Sequence, residues 1–298
     1  MVKKYYRLLD YPEYFRFGFF FLLIAAFTLS EFVFEQANNL YILYIFAGIF
    51  LGIGFYQRPI WLIILLDVLI VYLRYFLIPE WHHSFATFLT YMVTYLLITF
   101  ITVGLMKGVQ KVKNDRIELT TALSNILDSR DSYTSHHSEN VAKVAQQIAT
   151  EMKLSKEKMD AIAIGCLLHD IGKIGIAEEI LNKPEKLTAE EYSIIKNHPI
   201  IGYDMLKHVS NFRTSGVLDI ILYHHERYDG KGYPYGLKGE EIPLLARITA
   251  VADAYDAMSS KRVYRGEFDL NYILSEIWEN KGTQFDPQIV DIFLSFFD

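Results

Sequence analysis

The chain has 298 residues, of which 52% are hydrophobic and 15% aromatic, and its formal net charge at pH 7 is -6. The apolar share exceeds that of an ordinary soluble domain, which indicates that part of the chain lies in lipid. The acidic balance disfavours binding of a DNA or RNA polymer, because such binding requires a basic surface. The single cysteine, Cys166, excludes an internal disulfide, and its apolar neighbours predict a buried side chain.

Four apolar runs occupy the first third of the chain. Each approaches the roughly 20 residues that cross a bilayer as a helix. The connections between the runs are short, so they predict a compact bundle of helical hairpins. We therefore predict a module of four transmembrane helices over residues 1–106, with the runs at residues 15–34, 40–56, 59–78 and 85–106.

Charged residues flank these runs unevenly. Lys3 and Lys4 precede the first run, and Lys107 and Lys111 follow the fourth, whereas Glu35 follows the first run. Because cytoplasmic loops carry an excess of lysine and arginine, this pattern places both termini in the cytoplasm. An even number of spans agrees with that topology. A cleaved signal peptide is disfavoured for the first run, because no small-residue cleavage site follows it.

Two ionisable residues fall inside the third run. Asp67 and Arg74 are seven positions apart and therefore lie on one face of a helix. Charges at such depth are costly and often functional. Two interpretations remain open: structural pairing or outward snorkelling of the side chains, and the sensing of a ligand.

Residues 107–130 form a predicted helical linker. Its apolar positions recur with the 3-4-3-4-3 spacing of a helix that has one apolar seam, although Arg116 interrupts that seam. Such a seam either pairs two subunits as a coiled coil, giving a homodimer, or packs on its own domain. The seam positions are Val109, Val112, Arg116, Leu119, Leu123 and Ile126.

The remaining residues, 131–298, have a helical pattern with few strand-like runs. Thr188 and Glu191 have the spacing of a capping box that begins a helix leading to His198. Pro243 is suited to opening another helix. The predicted fold is therefore all-α: an N-terminal four-helix transmembrane module, a helical linker and a cytoplasmic all-helical domain.

An adjacent His169–Asp170 pair ends an apolar helical run in this domain. It offers one imidazole and one carboxylate at a single point, a combination suited to a divalent transition metal. Further histidines and one aspartate stand at intervals too long for a zinc finger. Five histidines and two aspartates are enough for two adjacent metals rather than one closed tetrahedral site. The seven candidate ligands are His137, His169, Asp170, His198, His224, His225 and Asp253.

Two motifs carry a resemblance to a known family. The run His169–Lys173 reads HDIGK, and the run His224–Pro234 reads HHERYDGKGYP. With the run from Asp253 to Arg265, they resemble the HD-GYP family of bacterial cyclic dinucleotide phosphodiesterases, a branch of the HD phosphohydrolases. The resemblance covers roughly residues 128–296 and does not extend to residues 1–106.

The resemblance implies a ligand set and a catalytic set. Asp170 would bridge two metals, of which one is completed by His137, His169 and Asp253 and the other by His198, His224 and His225. Tyr133 occupies the position of an extra acidic ligand found in members with three metals, which favours two metals here. Iron or manganese is expected, and zinc, cobalt or nickel also suits these ligands. The implied catalytic residues are His169, Asp170 and Lys173, and the implied substrate contacts are Lys173, Tyr233, Arg262 and Arg265.

The resemblance also implies a function. We expect a multi-pass protein of the bacterial plasma (inner) membrane that hydrolyses cyclic di-GMP to pGpG and/or GMP, under the control of a signal received through the lipid bilayer. Two alternatives concern the cytoplasmic domain: hydrolysis of another cyclic dinucleotide or nucleotide, such as cyclic GMP-AMP, or a ligand-binding relay with slow hydrolysis. Transport is disfavoured, because the spans have little polar lining beyond Asp67 and Arg74.

Overall fold

The computed structural model describes residues 8–32, 40–77, 84–130, 136–260 and 269–297. Within these ranges the regular elements are helices, and the only β-structure is two isolated bridges. The prediction of an all-helical fold is therefore confirmed. The chain divides into two compact units, Met1–Asp115 and Arg116–Asp298.

The N-terminal unit consists of three apolar helices and the first part of a fourth. Its interior is lined by large apolar side chains that are fully buried, including Phe19, Tyr44, Leu51 and Ile70. The apolar side chains that lie outside this core point outward from the bundle. The helices are α1 (Pro12–Phe32), α2 (Tyr41–Phe55), α3 (Ile60–Leu77) and α4 (Phe85–Asp128).

Three of these helices, α1, α3 and α4, are long and apolar enough to cross a membrane. Helix α2 has 15 residues, which corresponds to about 22 Å, less than the roughly 30 Å of a bilayer core. It ends where the chain turns at Tyr56 and Pro59. Four membrane-spanning helices are predicted from the sequence, and three helices of sufficient length are found among the described residues.

Helix α4 is a single helix of 44 residues. It joins the fourth apolar run and the predicted linker, which the sequence analysis treats as separate segments. No proline occurs between Phe85 and Asp128, so nothing in the sequence breaks the helical hydrogen bonds. The apolar seam residues of the linker region are exposed: Val109, Val112, Leu119, Leu123 and Ile126.

The C-terminal unit packs short helices around one apolar core. A capping box forms at Thr188 and Glu191 as expected, and Pro243 is the residue from which the long central helix begins. The α-helices are α5 (His137–Glu151), α6 (Lys156–Leu168), α7 (Glu178–Leu181), α8 (Ala189–Ile195), α9 (His198–Leu206), α10 (Ser210–Ser215), α11 (Val217–Tyr223), α12 (Leu244–Ser259), α13 (Leu270–Glu279) and α14 (Pro287–Leu294); two 3-10 turns cover Ile171–Gly175 and Gly239–Glu241.

The core of this unit fixes the helices that carry the candidate ligands. Ile148 of α5, Ile162 of α6, Ile220 of α11 and Ile248 of α12 are fully buried in one cluster. Cys166 is also fully buried, and its Sγ lies 3.4 Å from Thr249 Oγ1. The expectation of a buried cysteine is therefore confirmed.

Candidate metal centre

The seven candidate ligands come together where several helices begin or end. His169 and Asp170 follow the last residue of α6, and His224 and His225 follow the last residue of α11. The other ligands are the first residue of α5, the first residue of α9 and a residue within α12, namely His137, His198 and Asp253.

The ligand atoms form two groups. One contains Asp170, His198, His224 and His225, and the other contains His137, His169 and Asp253; within each group the ligand atoms lie within 4.8 Å of one another. The two groups adjoin, because the rings of His169 and His224 are 5.0 Å apart. Asp170 faces both groups: its Oδ1 is 3.2 Å from His198 Nε2, and its Oδ2 is 3.4 Å from His169 Nε2.

Backbone carbonyls fix the tautomers of three of these histidines. The Nδ1 of His169 lies 2.6 Å from the carbonyl oxygen of Cys166, that of His198 lies 2.8 Å from Ile195 O, and that of His224 lies 3.0 Å from Ile221 O. A carbonyl can only accept, so each Nδ1 carries the proton and donates it. In its neutral form each ring would therefore present the lone pair of Nε2 to the cluster, which is the arrangement found at metal-binding histidines.

The fourth histidine, His137, is oriented by a carboxylate instead. Its Nδ1 lies 2.7 Å from Asp256 Oδ2, and its Nε2 lies 3.2 Å from Asp253 Oδ1. Asp256 is itself buried and accepts a hydrogen bond of 3.1 Å from Ser260 Oγ. Asp256 therefore supports His137 from the side away from the cluster.

The electrostatics of the cluster suit a cation. Burial, with repulsion from His198, lowers the pKa of His225 to about 4, and burial also holds the pKa of His224 well below its usual value. Burial opposes ionisation of Asp170 and Asp253, yet Lys173 and His169 hold the pKa of Asp170 well below the usual range, and His137 and His169 do the same for Asp253. Neutral His224 and His225 beside ionised carboxylates have the protonation states that a divalent metal requires. Despite burial, Asp253 and Asp256 raise the pKa of His137 to about 10, and Asp170 raises that of His169, so a metal bound by these two rings would displace a proton.

An unsatisfied atom tests whether a metal fits. His169 Nε2 is fully buried and has no hydrogen-bond partner among the described residues, because Asp170 approaches it without hydrogen-bond geometry. The Nε2 atoms of His198 and His224 lie only 3.2 Å apart, so their lone pairs face each other when both rings are neutral. Lone pairs that converge on one point without donors are stabilised by a cation placed between them. The donor set therefore fits two divalent ions.

Gly172 holds the first motif against the start of α9. A side-chain Cβ at this position would lie 1.9 Å from the carbonyl oxygen of His198 and 2.6 Å from the backbone nitrogen of Gly202. Only glycine allows that approach. The HDIGK motif therefore sets the position of His198 as well as that of His169 and Asp170.

Lys173 lies beside Asp170. Its Nζ is 2.7 Å from Asp170 Oδ2, and its side chain is mostly buried. Lys173 is one of the substrate contacts that the family resemblance implies, and in the structure its ammonium group lies at the edge of the ligand cluster. The same position allows contact with a phosphate that approaches Asp170.

The second motif forms a loop that a buried carboxylate organises. Glu226 accepts hydrogen bonds from the backbone nitrogens of Tyr235, Gly236 and Leu237 at 2.8, 3.1 and 3.0 Å. A Cβ at Gly232 would lie 2.3 Å from the backbone nitrogen of Arg227, so the loop folds tightly over its own start. The loop is thereby held next to His224 and His225.

Tyr233 brings this loop to the cluster. Its ring centroid is 4.7 Å from that of His225, and the Nζ of Lys196 lies 5.2 Å from the centre of the Tyr233 ring. Lys196 Nζ also lies 4.7 Å from the centre of the Tyr192 ring. The sequence motifs do not identify Lys196. It stands two residues before the candidate ligand His198, but a surface lysine without any function can stand at such a position too.

The end of α4 is tied to the start of α5. Asp128, the last residue of α4, accepts hydrogen bonds from the backbone nitrogen and the hydroxyl of Ser138 at 3.3 and 3.0 Å. Asn125 Nδ2 donates to Glu139 Oε1 at 3.1 Å. Ser138 directly follows His137, so these bonds fix one end of a ligand-bearing helix. The sequence offers no signal for Asp128.

Other predicted residues fall outside the cluster or the described ranges. Arg262, Arg265 and Tyr133 lie outside the described residues, so the structure does not place them. Arg247, by contrast, is described: it forms an internal ion pair with Asp286 and donates to Ile242 O at 2.9 Å.

Comparison with known proteins gives a family and several relatives. A family model described as HD domain matches residues 121–289. The chain is 42% identical over 191 residues to the cyclic di-GMP phosphodiesterase response regulator RpfG of Xanthomonas campestris, covering 64% of this chain and 50% of that protein. It is 41% identical over 177 residues to a cyclic di-GMP phosphodiesterase of Thermotoga maritima, covering 59% and 48%. It is 34% identical over 201 residues to 3'3'-cGAMP-specific phosphodiesterase 2 of Vibrio cholerae, covering 67% and 38%.

The chain thus spans half or less of the length of these three curated relatives. The matched region begins in the last turns of α4 and ends in α14, so it contains all seven candidate ligands and the loop organised by Glu226. It covers more than half of the chain. On this basis the chain belongs to the HD domain family.

Proposed function

We propose that the C-terminal unit is an HD-GYP phosphodiesterase that hydrolyses cyclic di-GMP to pGpG and/or GMP. The observation that carries this proposal is the convergence of four oriented imidazoles, with His225 and two carboxylates, into two adjoining ligand groups. Relatives named as cyclic di-GMP phosphodiesterases support it.

Two divalent cations, iron or manganese in the first instance and otherwise zinc, cobalt or nickel, would be held by the seven ligands and would supply phosphate charge neutralisation and activation of water. The protein's own part is orientation. The Nδ1 donors hold each ring so that its Nε2 faces the site, and Asp170 stands between the two ligand groups. No nucleophilic side chain is required.

The substrate would be held by residues at the rim of the cluster. Lys173 is assigned to a non-bridging phosphate oxygen, because its ammonium group lies next to Asp170. Tyr233 is assigned to a base or ribose, because the loop held by Glu226 keeps its ring beside His225. Arg262 and Arg265 are assigned to phosphates or bases on the family resemblance alone.

The enzyme proposal is tested with the full chain in detergent or nanodiscs, loaded with Fe(II) or Mn(II). We expect conversion of cyclic di-GMP to linear products on chromatography, and loss of both turnover and bound metal in the double variant His169→Ala, Asp170→Ala. His208→Ala is the matched control, because His208 is exposed and lies outside the cluster. Absence of turnover in the wild type with each of the five metals would remove the proposal.

The same site admits a second substrate. Relatives from Vibrio cholerae named as 3'3'-cGAMP-specific phosphodiesterases share 34–37% identity with this chain. The ligand cluster acts on the phosphodiester, which both dinucleotides share, so base preference must come from the rim. Comparing kcat/KM for cyclic di-GMP and 3'3'-cGAMP decides between them, and binding without turnover would indicate a relay.

We further propose that residues 1–106 anchor the protein in the bacterial plasma (inner) membrane with four spans and both termini in the cytoplasm, and that the module passes a signal to residues 131–298. Large apolar side chains on the outer faces of its helices support this: Phe17, Phe21, Ile24, Trp61, Leu65, Leu97, Ile101 and Leu105 are exposed. Groups of this size are stabilised by lipid and not by water.

Membrane anchoring is tested by fractionation. We expect the protein to stay in the membrane pellet after carbonate washing and reporters fused at either terminus to report a cytoplasmic location. A periplasmic signal from one terminus only would show an odd number of spans, which would identify α2 as a helix that does not cross.

We also propose that the linker, residues 107–130, pairs two copies of the chain. The seam residues Val112 and Leu119 are about 70% and 67% exposed, although they are apolar and recur on one face of α4. A second copy of the same helix would cover them by coiled-coil packing. Cysteines at Val112 and Leu119 should form disulfide dimers in membranes, whereas Asn114→Cys, on the opposite face, should not. Cys166 is buried and gives no background.

A further inference from the structure

Three helices of the N-terminal unit meet at a buried polar cluster. Asp67 of α3 and Thr99 of α4 are both fully buried. Thr99 Oγ1 lies 2.8 Å from Asp67 Oδ1 and 3.3 Å from the backbone carbonyl oxygen of Gly48 in α2. The cluster is separate from the metal centre, and the HD domain match does not include it.

The cluster has fewer hydrogen-bond donors than acceptors when Asp67 is ionised. Thr99 has one hydroxyl hydrogen and faces two oxygens, the Gly48 carbonyl and Asp67 Oδ1. If Asp67 is ionised, Thr99 can donate to only one of them, and Asp67 Oδ2 has no hydrogen-bond partner at all. An isolated carboxylate in such an apolar interior costs several kcal/mol or more.

A proton on Asp67 Oδ1 removes this conflict. The acid O–H then donates to Thr99 Oγ1, and the Thr99 hydroxyl donates to Gly48 O. The acid proton of Asp67 in α3 and the hydroxyl proton of Thr99 in α4 then each have one acceptor, and the second acceptor is in α2. Only Oδ2 of Asp67, the carbonyl oxygen of the acid, then has no hydrogen-bond donor. Leaving a neutral carbonyl oxygen unpaired costs less than leaving a charged carboxylate oxygen or an O–H group unpaired.

Nearby charged groups do not replace the proton. Arg74, on the same face of α3, lies with its guanidinium 4.8 Å from the centre of the Tyr91 ring and 3.4 Å from Tyr91 Oη, and forms no ion pair with Asp67 among the described residues. On α1, Arg16 donates to Gly54 O, toward the end of α2. The phenols of Tyr44 in α2 and Tyr95 in α4 are buried in the same apolar cluster.

This arrangement differs from the first interpretation left open by the sequence, structural pairing or outward snorkelling. Asp67 and Arg74 share a helix face but have different partners, so they are not a buried ion pair. Asp67 is not directed outward either, since it is fully buried. Its contacts are those of an uncharged acid.

We propose that Asp67, Thr99 and Gly48 form a proton-binding site in the N-terminal unit, where Asp67 is held as a neutral carboxylic acid at neutral pH. Loss of that proton would leave a charge between three helices with one donor to share, so the helices must repack or admit a cation. The ligand of the site is the proton, and this does not depend on the proposed hydrolysis.

Infrared spectroscopy of the full chain in lipid nanodiscs tests the site at pH 7, in choline chloride. We expect a carboxylic-acid carbonyl band that shifts in D2O and is absent in Asp67→Asn. Thr99→Val should shift the band, because it removes the hydrogen-bond acceptor, whereas Thr94→Val should leave it unchanged. Thr94 is exposed on the same helix and bonds only to Thr90 O.

Each outcome is decisive. Identical acid-band spectra for the wild type and Asp67→Asn would show that Asp67 is ionised and would overturn the proposal. A band that disappears when sodium replaces choline would show that a metal cation occupies the site and would also overturn it. If Asp67→Asn does not fold, the comparison of Thr99→Val with Thr94→Val decides, because only a protonated Asp67 couples the band to the Thr99 hydroxyl.

Discussion

The two units bury acidic side chains in opposite ways. In the C-terminal unit, Asp170 and Asp256 lie next to imidazoles, and Asp170 also lies 2.7 Å from Lys173. In the N-terminal unit, Asp67 is equally buried but has only the Thr99 hydroxyl as partner. Burial alone therefore does not determine ionisation: the partners do. Under our proposals, a carboxylate beside an ammonium group and imidazoles is suited to hold a metal, and one beside a single hydroxyl is suited to keep a proton.

The largest effect is expected from a backbone clash in the C-terminal unit, which would separate the carboxylate of Asp170 from its imidazole partners. Gly172→Ala places a Cβ 1.9 Å from His198 O, so either the motif or the start of α9 must move. We expect about 3 kcal/mol of lost stability and loss of bound metal, measured by denaturant unfolding and elemental analysis. Gly108→Ala is the control, since its Cβ meets nothing within 4 Å and alanine favours a helix. Unchanged metal content in Gly172→Ala would contradict the assignment.

The support behind His137 gives the next largest effect. Asp256→Asn replaces the carboxylate that receives the Nδ1 proton by an amide that can present a donor instead. Loss of such a partner lowers metal affinity about 10- to 100-fold. Competition with a chelator measures it. Asp204→Asn is the matched control, because Asp204 is 56% exposed and pairs only with Lys207 at the surface. Equal metal affinity in both variants would show that Asp256 has no part in orienting the ligand.

A smaller effect is expected at the loop. Glu226→Gln leaves at least one of three backbone N–H groups facing an amide donor, which costs about 1–3 kcal/mol. Because the loop carries Tyr233 and no ligand follows His225 in it, we expect KM to rise while metal content stays the same. Glu240→Gln, at an exposed site, should change neither value. A fall in metal content without a change in KM would place Glu226 among the supports of the ligands instead.

The smallest effect concerns the interior of the C-terminal unit. Burial raises the pKa of the Cys166 thiol to about 12, so that only about one thiol in 10,000 is ionised at pH 8. We expect no alkylation by iodoacetamide in the folded protein and complete alkylation in guanidinium chloride. Rapid reaction in the folded state would mean that the core around Thr249 opens readily.

How far the sequence predicts this molecule depends on the range of each interaction. The all-helical fold, the capping box at Thr188 and the helix start at Pro243 follow from local patterns, because hydrogen bonds within a few residues determine them. The seven candidate ligands are also named by the sequence, since they stand in recognisable motifs, and the structure brings all of them together. Their roles as ligands stay predictions until metal is measured.

Other features depend on contacts between distant segments, which no local pattern reports. Asp256 receives the proton of a histidine 119 positions away, and Asp67 bonds to a threonine 32 positions away. The pairing of Asp67 with Arg74 is plausible from helical periodicity, but packing between α3 and α4 gives each residue another partner. The apolar run at residues 40–56 agrees with α2 to one residue at each end, and its 15 helical residues are shorter than a bilayer core requires.

The bond between Asp128 and Ser138 makes the two ligand groups unequal. It holds the first turn of α5, and therefore His137, to the last residue of a 44-residue helix, whereas His198, His224 and His225 are on segments to which no such bond is seen among the described residues. A pull or twist of that helix would thus act first on the ligand group of His137, because Arg130, just beyond the helix, reaches the other group only at the carbonyls of Ile174 and Ile176, after Asp170. A centre strained on one side only would lose its two ions in sequence, and stepwise metal release during titration with a chelator would reveal it.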